Sequence, residues 1–344
     1  MTNYLKLKIP TIRHSDFKAI SQYLSIKKTN SYFLNTSPSY KKNYEEFRNI
    51  QYSKINQDKT LFKHKNKNLY KKRSEILRDE IKKRFKKNIK ILDYGCNKGE
   101  LLHELKKSGY TKLFGHDVNI NFSKNLRNKK INYLKFDEIS LHKFDLVIFS
   151  HSISYVKNLT YLLKTIKSTL NKNSYIIINC PDVSKRQFTL CFGDQKFFFE
   201  KRMIQNLFQK FGKVKFLNSD YLINEIISLI SIKDKIKKKR FIKKVNDKNL
   251  KILHSKIKKI NLIKNTEKNI DFFHYNFQSK IIFYILDNKN CRFVYTNKRN
   301  DNKNNLIEMK HYLKSLNPII ISKNNENKKI ISLLKKNKKK IYTI

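Results

Sequence analysis

Between residues 89 and 217, short apolar runs alternate with segments whose apolar residues recur every three or four positions. Ile89 and Ile91-Leu92 mark a buried strand over 90–93, and Leu101, Leu102 and Leu105 mark the inner face of a helix over 100–108. Leu113–Asp117 reads as a second strand, followed by a polar helix over 121–128 and a third strand over 131–136. Phe144-Asp145-Leu146-Val147-Ile148-Phe149-Ser150 is almost continuously apolar, which suits a central parallel strand buried on both faces. Leu159, Leu162, Leu163, Ile166 and Leu170 follow helical spacing. A strand over 175–179 stops at Pro181, and Met203, Ile204, Leu207, Phe208 and Phe211 line one side of a helix over 200–211. Strands over 214–217 and 221–223 close the sheet. This alternation predicts a doubly wound α/β sheet with ligands bound beyond the carboxyl ends of its strands.

The flanks read differently. Ile76, Leu77, Ile81 and Phe85, with Arg73, Arg78, Lys82 and Lys83 between them, make an amphipathic helix over 70–85. Upstream, Phe33, Tyr40, Tyr44 and Phe47 either pack onto the core or cap a substrate pocket, so residues 1–85 are read as a helical cap segment. Beyond 225 the chain becomes lysine-dense, with long helices over 232–264. Strands over 280–286 and 291–296, a helix over 306–316, a strand over 318–322, a helix over 327–336 and a strand over 340–344 follow. The division is 1–85, a Rossmann-like domain over 86–225, and a lysine-rich helical and small α/β region over 226–344.

Chemistry concentrates in Asp93-Tyr94-Gly95-Cys96-Asn97-Lys98-Gly99. The chain has 6 glycines, and four of them (Gly95, Gly99, Gly109, Gly115) fall between residues 95 and 115, two of them in this turn, where the backbone must bend sharply between strand and helix. Asn97 stands between Gly95 and Gly99, and Asn accepts the left-handed conformation better than other side chains. Asp117 ends the second strand about 20 residues past the turn, where an acid is placed to hold ribose hydroxyls. Dinucleotide-binding enzymes share that spacing.

The acid followed by a glycine-rich turn resembles the first motif of class I S-adenosylmethionine (SAM) dependent methyltransferases, with Asn97 at the middle glycine. The resemblance covers about residues 70–220 and implies SAM as cofactor. It places Asp93 near the methionine end, the backbone at Gly95 and Cys96 beside the amino acid moiety, Gly99 in the turn, Asp117 at the ribose and Asp137 at the adenine, with Glu138 as a substitute. Ser150 and His151 end the fourth strand, facing the sulfonium and the acceptor. His151 is a candidate general base, and Tyr155 stands where many relatives carry a second histidine. Asn97, a C-terminal α/β appendage and the loop holding Pro181-Asp182 and Phe192-Gly193-Asp194-Gln195 are similar to sugar C-methyltransferases. The four-cysteine module and loop histidine of that group are missing. A sugar, glycan precursor or other small metabolite is therefore the expected acceptor. The alternatives are a catalytically silent binding subunit and an RNA methyltransferase gripping phosphates with its basic C-terminal part.

Charge changes this picture little. Lys+Arg number 77 against 27 Asp+Glu, a formal net charge of +50, but the excess is spread over the chain together with abundant Asn, Ile, Tyr and Phe. Such co-enrichment follows A/T-rich codons, and the expected consequence is non-specific polyanion binding at low salt. The 4 cysteines lack C-x-x-C spacing, so neither a disulfide framework nor a zinc site is expected. No apolar run is long enough for a membrane span, no secretory signal is evident at the N-terminus, and a reduced cytoplasmic setting is the default expectation.

Overall fold

Apolar runs too long for a half-exposed strand are what build the centre of this protein. The computed structural model describes residues 4–12, 19–37, 63–232, 245–273, 277–286, 292–295, 306–308, 317–321 and 328–344. The chain divides into two compact units, one of residues 1–5, 25–190 and 194–246, the other of 6–24, 191–193 and 247–344.

Five short strands come first: β1 (Tyr4–Leu7), β2 (Thr11–Ile12), β3 (Ala19–Ser21), β4 (Leu24–Lys28) and β5 (Phe33–Asn35). The helical cap expected over 1–85 is thus strand in its first part, and Phe33 is a fully buried strand residue. Tyr40, Tyr44 and Phe47 lie outside the described residues. Helix α1 (Lys63–Lys82) follows. Its Leu77 and Ile81 are fully buried, while Ile76 and Phe85 pack at the edge of the same cluster.

The first unit is built on a seven-stranded sheet. Its strands are β6 (Ile91–Tyr94), β7 (Leu113–His116), β8 (Asn132–Tyr133), β9 (Phe144–Ser150), β10 (Leu170–Pro181), β12 (Gly212–Leu217) and β13 (Glu225–Ile232). Strand β11 (Phe197–Phe198) pairs instead with β5, which also pairs with β4. The order across the large sheet is β12-β13-β10-β9-β6-β7-β8. All its neighbouring pairs are parallel except those made by β13, which runs antiparallel to both β10 and β12. This is the doubly wound, Rossmann-like sheet expected from the alternation. Helices α2 (Glu100–Lys107), α3 (Phe122–Asn128), α4 (Leu159–Ser168) and α5 (Lys201–Phe208) connect the strands.

The two-residue period of a strand explains why β9 is so apolar. Its Val147 and Phe149 join one buried layer with Leu162, Leu163 and Ile166 of α4. Its Leu146 and Ile148 join the opposite layer with Leu101, Leu102 and Leu105 of α2 and Leu77 of α1. Both faces are covered, so no polar position was available in the strand's middle.

Two expectations at the end of this sheet need correction. Residues 221–223 are not a strand, since Tyr221 and Ile223 are exposed. The closing strand is β13, whose Ile226, Ile227 and Ile230 are buried. A boundary between 225 and 226 would cut this strand, so the change in composition beyond 225 does not mark the end of the domain.

The second unit contains a two-stranded pair, β2 with β3, and a five-stranded sheet in the order β16-β15-β14-β17-β18. The strands are β14 (Asp271–Phe273), β15 (Arg292–Tyr295), β16 (Leu306–Glu308), β17 (Ile319–Ile321) and β18 (Ile341–Thr343), and every pairing is parallel. Helices α6 (Lys248–Thr266), α7 (Phe277–Leu286) and α8 (Lys328–Lys336) belong to it. Residues 280–286, expected as a strand, are helix α7. Parallel neighbours β14 and β15 need a crossover, and this helix supplies it. Residues 306–308 are strand where a helix was expected, and 309–316 lie outside the described residues. No helix among the described residues is long and apolar enough to cross a membrane.

Gly115 in β7 tests the packing of the first unit. A Cβ there would stand 2.4 Å from Leu126 Cδ2, 2.8 Å from Cys96 Sγ and 2.9 Å from Leu102 Cδ1. Gly115→Ala is expected to lower stability by about 1–3 kcal/mol, the usual cost of one overpacked methylene, read as a lower urea midpoint with unchanged slope.

Candidate active site

The carboxyl ends of β6, β7 and β9 lie side by side. In the sheet register Asp93 is opposite both Gly115 and Ile148, and Tyr94 is opposite His116. Asp93, the turn from Gly95 to Gly99, Asp117 and the Ser150–Ser152 segment therefore gather at one end of three neighbouring strands.

The turn is a run of left-handed backbone, with φ +79° at Gly95, +51° at Asn97 and +73° at Gly99. Asn97 does adopt the conformation its residue type permits. Its side-chain Oδ1 accepts from the Lys98 amide at 2.7 Å, which locks the bend locally. Gly99 caps α2, and its carbonyl accepts from His103 at 2.9 Å.

The amides of the turn have protein partners. Those of Gly95 and Cys96 both donate to the His116 carbonyl, at 2.7 and 2.9 Å. Asn97 donates to Asp117 Oδ2 at 3.0 Å, and Asn119 donates to Asp117 Oδ1 at 2.9 Å. Asp117 thus ties the glycine turn to the loop after β7. Gly95 is needed for a reason the sequence did not show: a Cβ there would stand 2.3 Å from the Ser152 Cβ. Ser152 in turn donates its hydroxyl to the Tyr94 carbonyl. Within the chain, the backbone at Gly95 and Cys96 thus lies against Ser152 and the His116 carbonyl. The Cys96 thiol is buried, and burial, with Asp93 and Asp117 nearby, pushes it well above its ordinary pKa.

Asp93 is 2% exposed, and its Oδ1 has no hydrogen-bond partner among the described residues. Burial, with the charges of Asp117 and Glu100 adding to it, pushes its pKa up to about 8. A carboxyl left this way is costly to ionise without a cation beside it.

Ser150 is half-buried at the end of β9, paired in register with Asn179. His151 follows in the left-handed region, with φ +57°. Its Nε2 is buried and lies 3.0 Å from Glu225 Oε2, off the line of a hydrogen bond. Glu225 is also held by Arg73, Nη2 to Oε1 at 2.6 Å and Nε to Oε2 at 3.2 Å, and by the Asn179 amide at 2.8 Å. Burial alone would raise Glu225, but His151 and Arg73 hold its carboxyl well below the usual range. Burial and Arg73 depress the His151 pKa, and Glu225 opposes them. At neutral pH Arg73 is therefore the lasting counter-ion of Glu225, and the imidazole is neutral.

The remaining predicted residues sit further along. Asp137 is exposed ahead of the short 3-10 turn Glu138–Leu141, and Glu138 accepts from the Lys135 amide at 2.7 Å. Tyr155 ends the 3-10 turn Ile153–Tyr155, and its hydroxyl accepts from Gln195 Nε2 at 2.9 Å. Ser152, Glu225, Arg73 and Asn179 were not marked as site residues by the sequence, whereas Gln195 stood in the loop it singled out. The available signals were slight: Asn179 closes an Ile-Ile-Ile run, and Glu225 opens an apolar strand.

Residues 65–223 match a protein family described as a methyltransferase domain. No curated protein matches the chain. Among solved structures, a SAM-dependent methyltransferase from Thermotoga maritima is similar at 16% identity over 45% of this chain and 87% of its own, with a TM-score of 0.37. A magnesium protoporphyrin IX methyltransferase from Synechocystis shows 10% identity over 56% and 99%, with a TM-score of 0.43. A SAM-dependent methyltransferase from Archaeoglobus fulgidus shows 19% identity over 46% and 94%, with a TM-score of 0.37.

The buried carboxyl has a measurable consequence. A folded pKa above the unfolded value means that Asp93 favours the folded state at low pH and loses that contribution as pH rises toward 8. In Asp93→Asn this pH dependence is removed. The variant's stability relative to wild type should therefore grow from pH 5 to pH 8 in urea unfolding, and a constant difference would show that Asp93 titrates normally. Residues 65–223 thus match a methyltransferase-domain family and carry most of a seven-stranded sheet of the doubly wound, Rossmann-like kind.

Proposed function

We propose that the chain transfers a methyl group from SAM to a small-molecule acceptor, a sugar or glycan precursor being the narrower class. The observation that carries the cofactor is Asp93: a buried carboxylate oxygen without a partner, directly before the glycine turn. The ammonium of an amino acid moiety supplies the missing cation. Asp117, at the end of β7, would accept from the ribose hydroxyls, and exposed Asp137 would stand by the adenine. When bound, SAM supplies an electrophilic methyl group on a sulfonium.

The protein's own share is mainly alignment. The fixed turn and Ser152 set one wall of the site, so donor and acceptor are held in line rather than meeting by diffusion. For a sugar acceptor the support is chemical. Tyr155 and Gln195 form a hydroxyl–amide pair, and Gln195 Oε1 is buried without a partner. Such groups suit the hydroxyls of a polyol. Resemblance of the 181–199 loop to sugar C-methyltransferases points the same way.

Calorimetric titration at moderate salt tests the cofactor. SAM is expected to bind in the micromolar range and NAD not at all. Asp117→Ala should weaken SAM by about 1–3 kcal/mol, the loss of a hydrogen-bonded charged acceptor. Equal binding of both nucleotides, or of neither, would overturn the assignment.

A further inference from the structure

His151 does not stand alone: the carboxylate at its Nε2 is itself clamped. Glu225 at the start of β13 receives Arg73 from α1 and Asn179 from β10, and lies 3.0 Å from His151 after β9. Four separate elements thus contribute one side chain each to a buried cluster. Arg73 and Glu225 side chains are 7% and 11% exposed, and an ion pair so buried is costly to assemble unless its geometry is complete. His151 is only 24% exposed, and with Nε2 buried its exposed part lies on the rest of the side chain. The next residue, Ser152, packs on Gly95 of the turn. The imidazole is therefore anchored on its inner edge by a carboxylate and sits one residue from the wall of the cofactor site.

We propose that Glu225 is a positioning residue that orients His151 as general base, and that the methyl acceptor is accordingly a hydroxyl. This rests on the methyltransferase reading above. The negative charge of Glu225 beside Nε2 favours the tautomer with its proton there, which leaves Nδ1 to take a proton. The acceptor O–H gives its proton to Nδ1 while an oxygen lone pair forms the new C–O bond. The electron pair of the broken C–S bond stays on the donor sulfur, which becomes a neutral thioether. The positive charge of the sulfonium donor ends as a proton on the imidazole, beside the carboxylate of Glu225. An alcohol oxygen is a poor nucleophile while protonated, so it needs this base; a thiolate or a neutral amine would not.

Among the described residues two charged groups face His151, Glu225 from β13 and Arg73 from α1, and Asn179 from β10 adds a neutral amide to the cluster. They pull the imidazole in opposite directions, and this makes the proposal testable without turnover. In isotope-labelled, ligand-free protein, the His151 ring titration followed by NMR should move down by about 1–3 pH units in Glu225→Gln, the usual effect of one adjacent charge. It should move up in Arg73→Gln. With a hydroxyl acceptor, the ascending limb of the pH–rate profile should shift down with the titration in Glu225→Gln, and the plateau rate should fall. Glu225→Asp should restore much of both. A cluster that only ties α1 to the sheet would lower thermal stability and leave the pH–rate limb and the plateau rate in place, whatever the ring titration does, and this would overturn the proposal. Should Glu225→Gln not fold, Arg73→Gln decides alone: an unmoved His151 titration overturns it. If SAM fails to bind while the titration moves as stated, the cofactor reading falls and the Glu225–His151 pair stands.

Discussion

A five-residue left-handed turn between β6 and α2 is the constraint on which the rest of the site depends. Three of its residues have positive φ, two of them glycines and one an asparagine. No such turn is stable by itself, because its amides need partners. Here they come from β7 and the loop after it: the His116 carbonyl takes two and the Asp117 carboxylate takes one. Ser152, following β9, closes the other side against Gly95. The ends of three parallel strands are thereby tied to one another, with Asp117 itself one of the ties.

Two buried acids at this end of the sheet show opposite solutions to the same cost. Glu225 is fully compensated, by a bidentate guanidinium and an amide, and is ionised. Removing one partner of such a pair costs about 3–5 kcal/mol, because the other charge is left buried and alone. Asp93 has no cation beside it among the described residues, and its pKa rises to about 8. The first arrangement is internal and complete. The second leaves Oδ1 without a partner among the described residues, and the proposed ligand contact rests on this.

Much of the central fold was legible because both-face burial writes itself into consecutive residues, as in Leu146–Phe149, and α4 showed its buried stripe at Leu159, Leu162, Leu163 and Ile166. Where local pattern was ambiguous, tertiary context decided. The apolar run 281–286 reads as a strand, yet a parallel sheet on either side demands a helix. The glycine turn and its acids were legible as a motif, while their actual hydrogen bonds were not. Asp117 proved to build the turn, and Gly95 to accommodate Ser152. The Arg73–Glu225–His151–Asn179 cluster left almost no trace in the sequence. Its members are up to 152 positions apart and meet only through the order of β9, β10 and β13.

The central claim is that Asp93 waits, protonated, for the ammonium of a bound cofactor. Proton release on SAM binding tests it most directly, by calorimetry at pH 7 in buffers of different ionisation enthalpy. The account predicts release of close to one proton per SAM in the wild-type protein, since the cation drives a carboxyl with a pKa of about 8 to ionise. It predicts no release in Asp93→Asn, with weakened binding. SAM binding of equal strength in both proteins, with no proton exchanged in either, would contradict it.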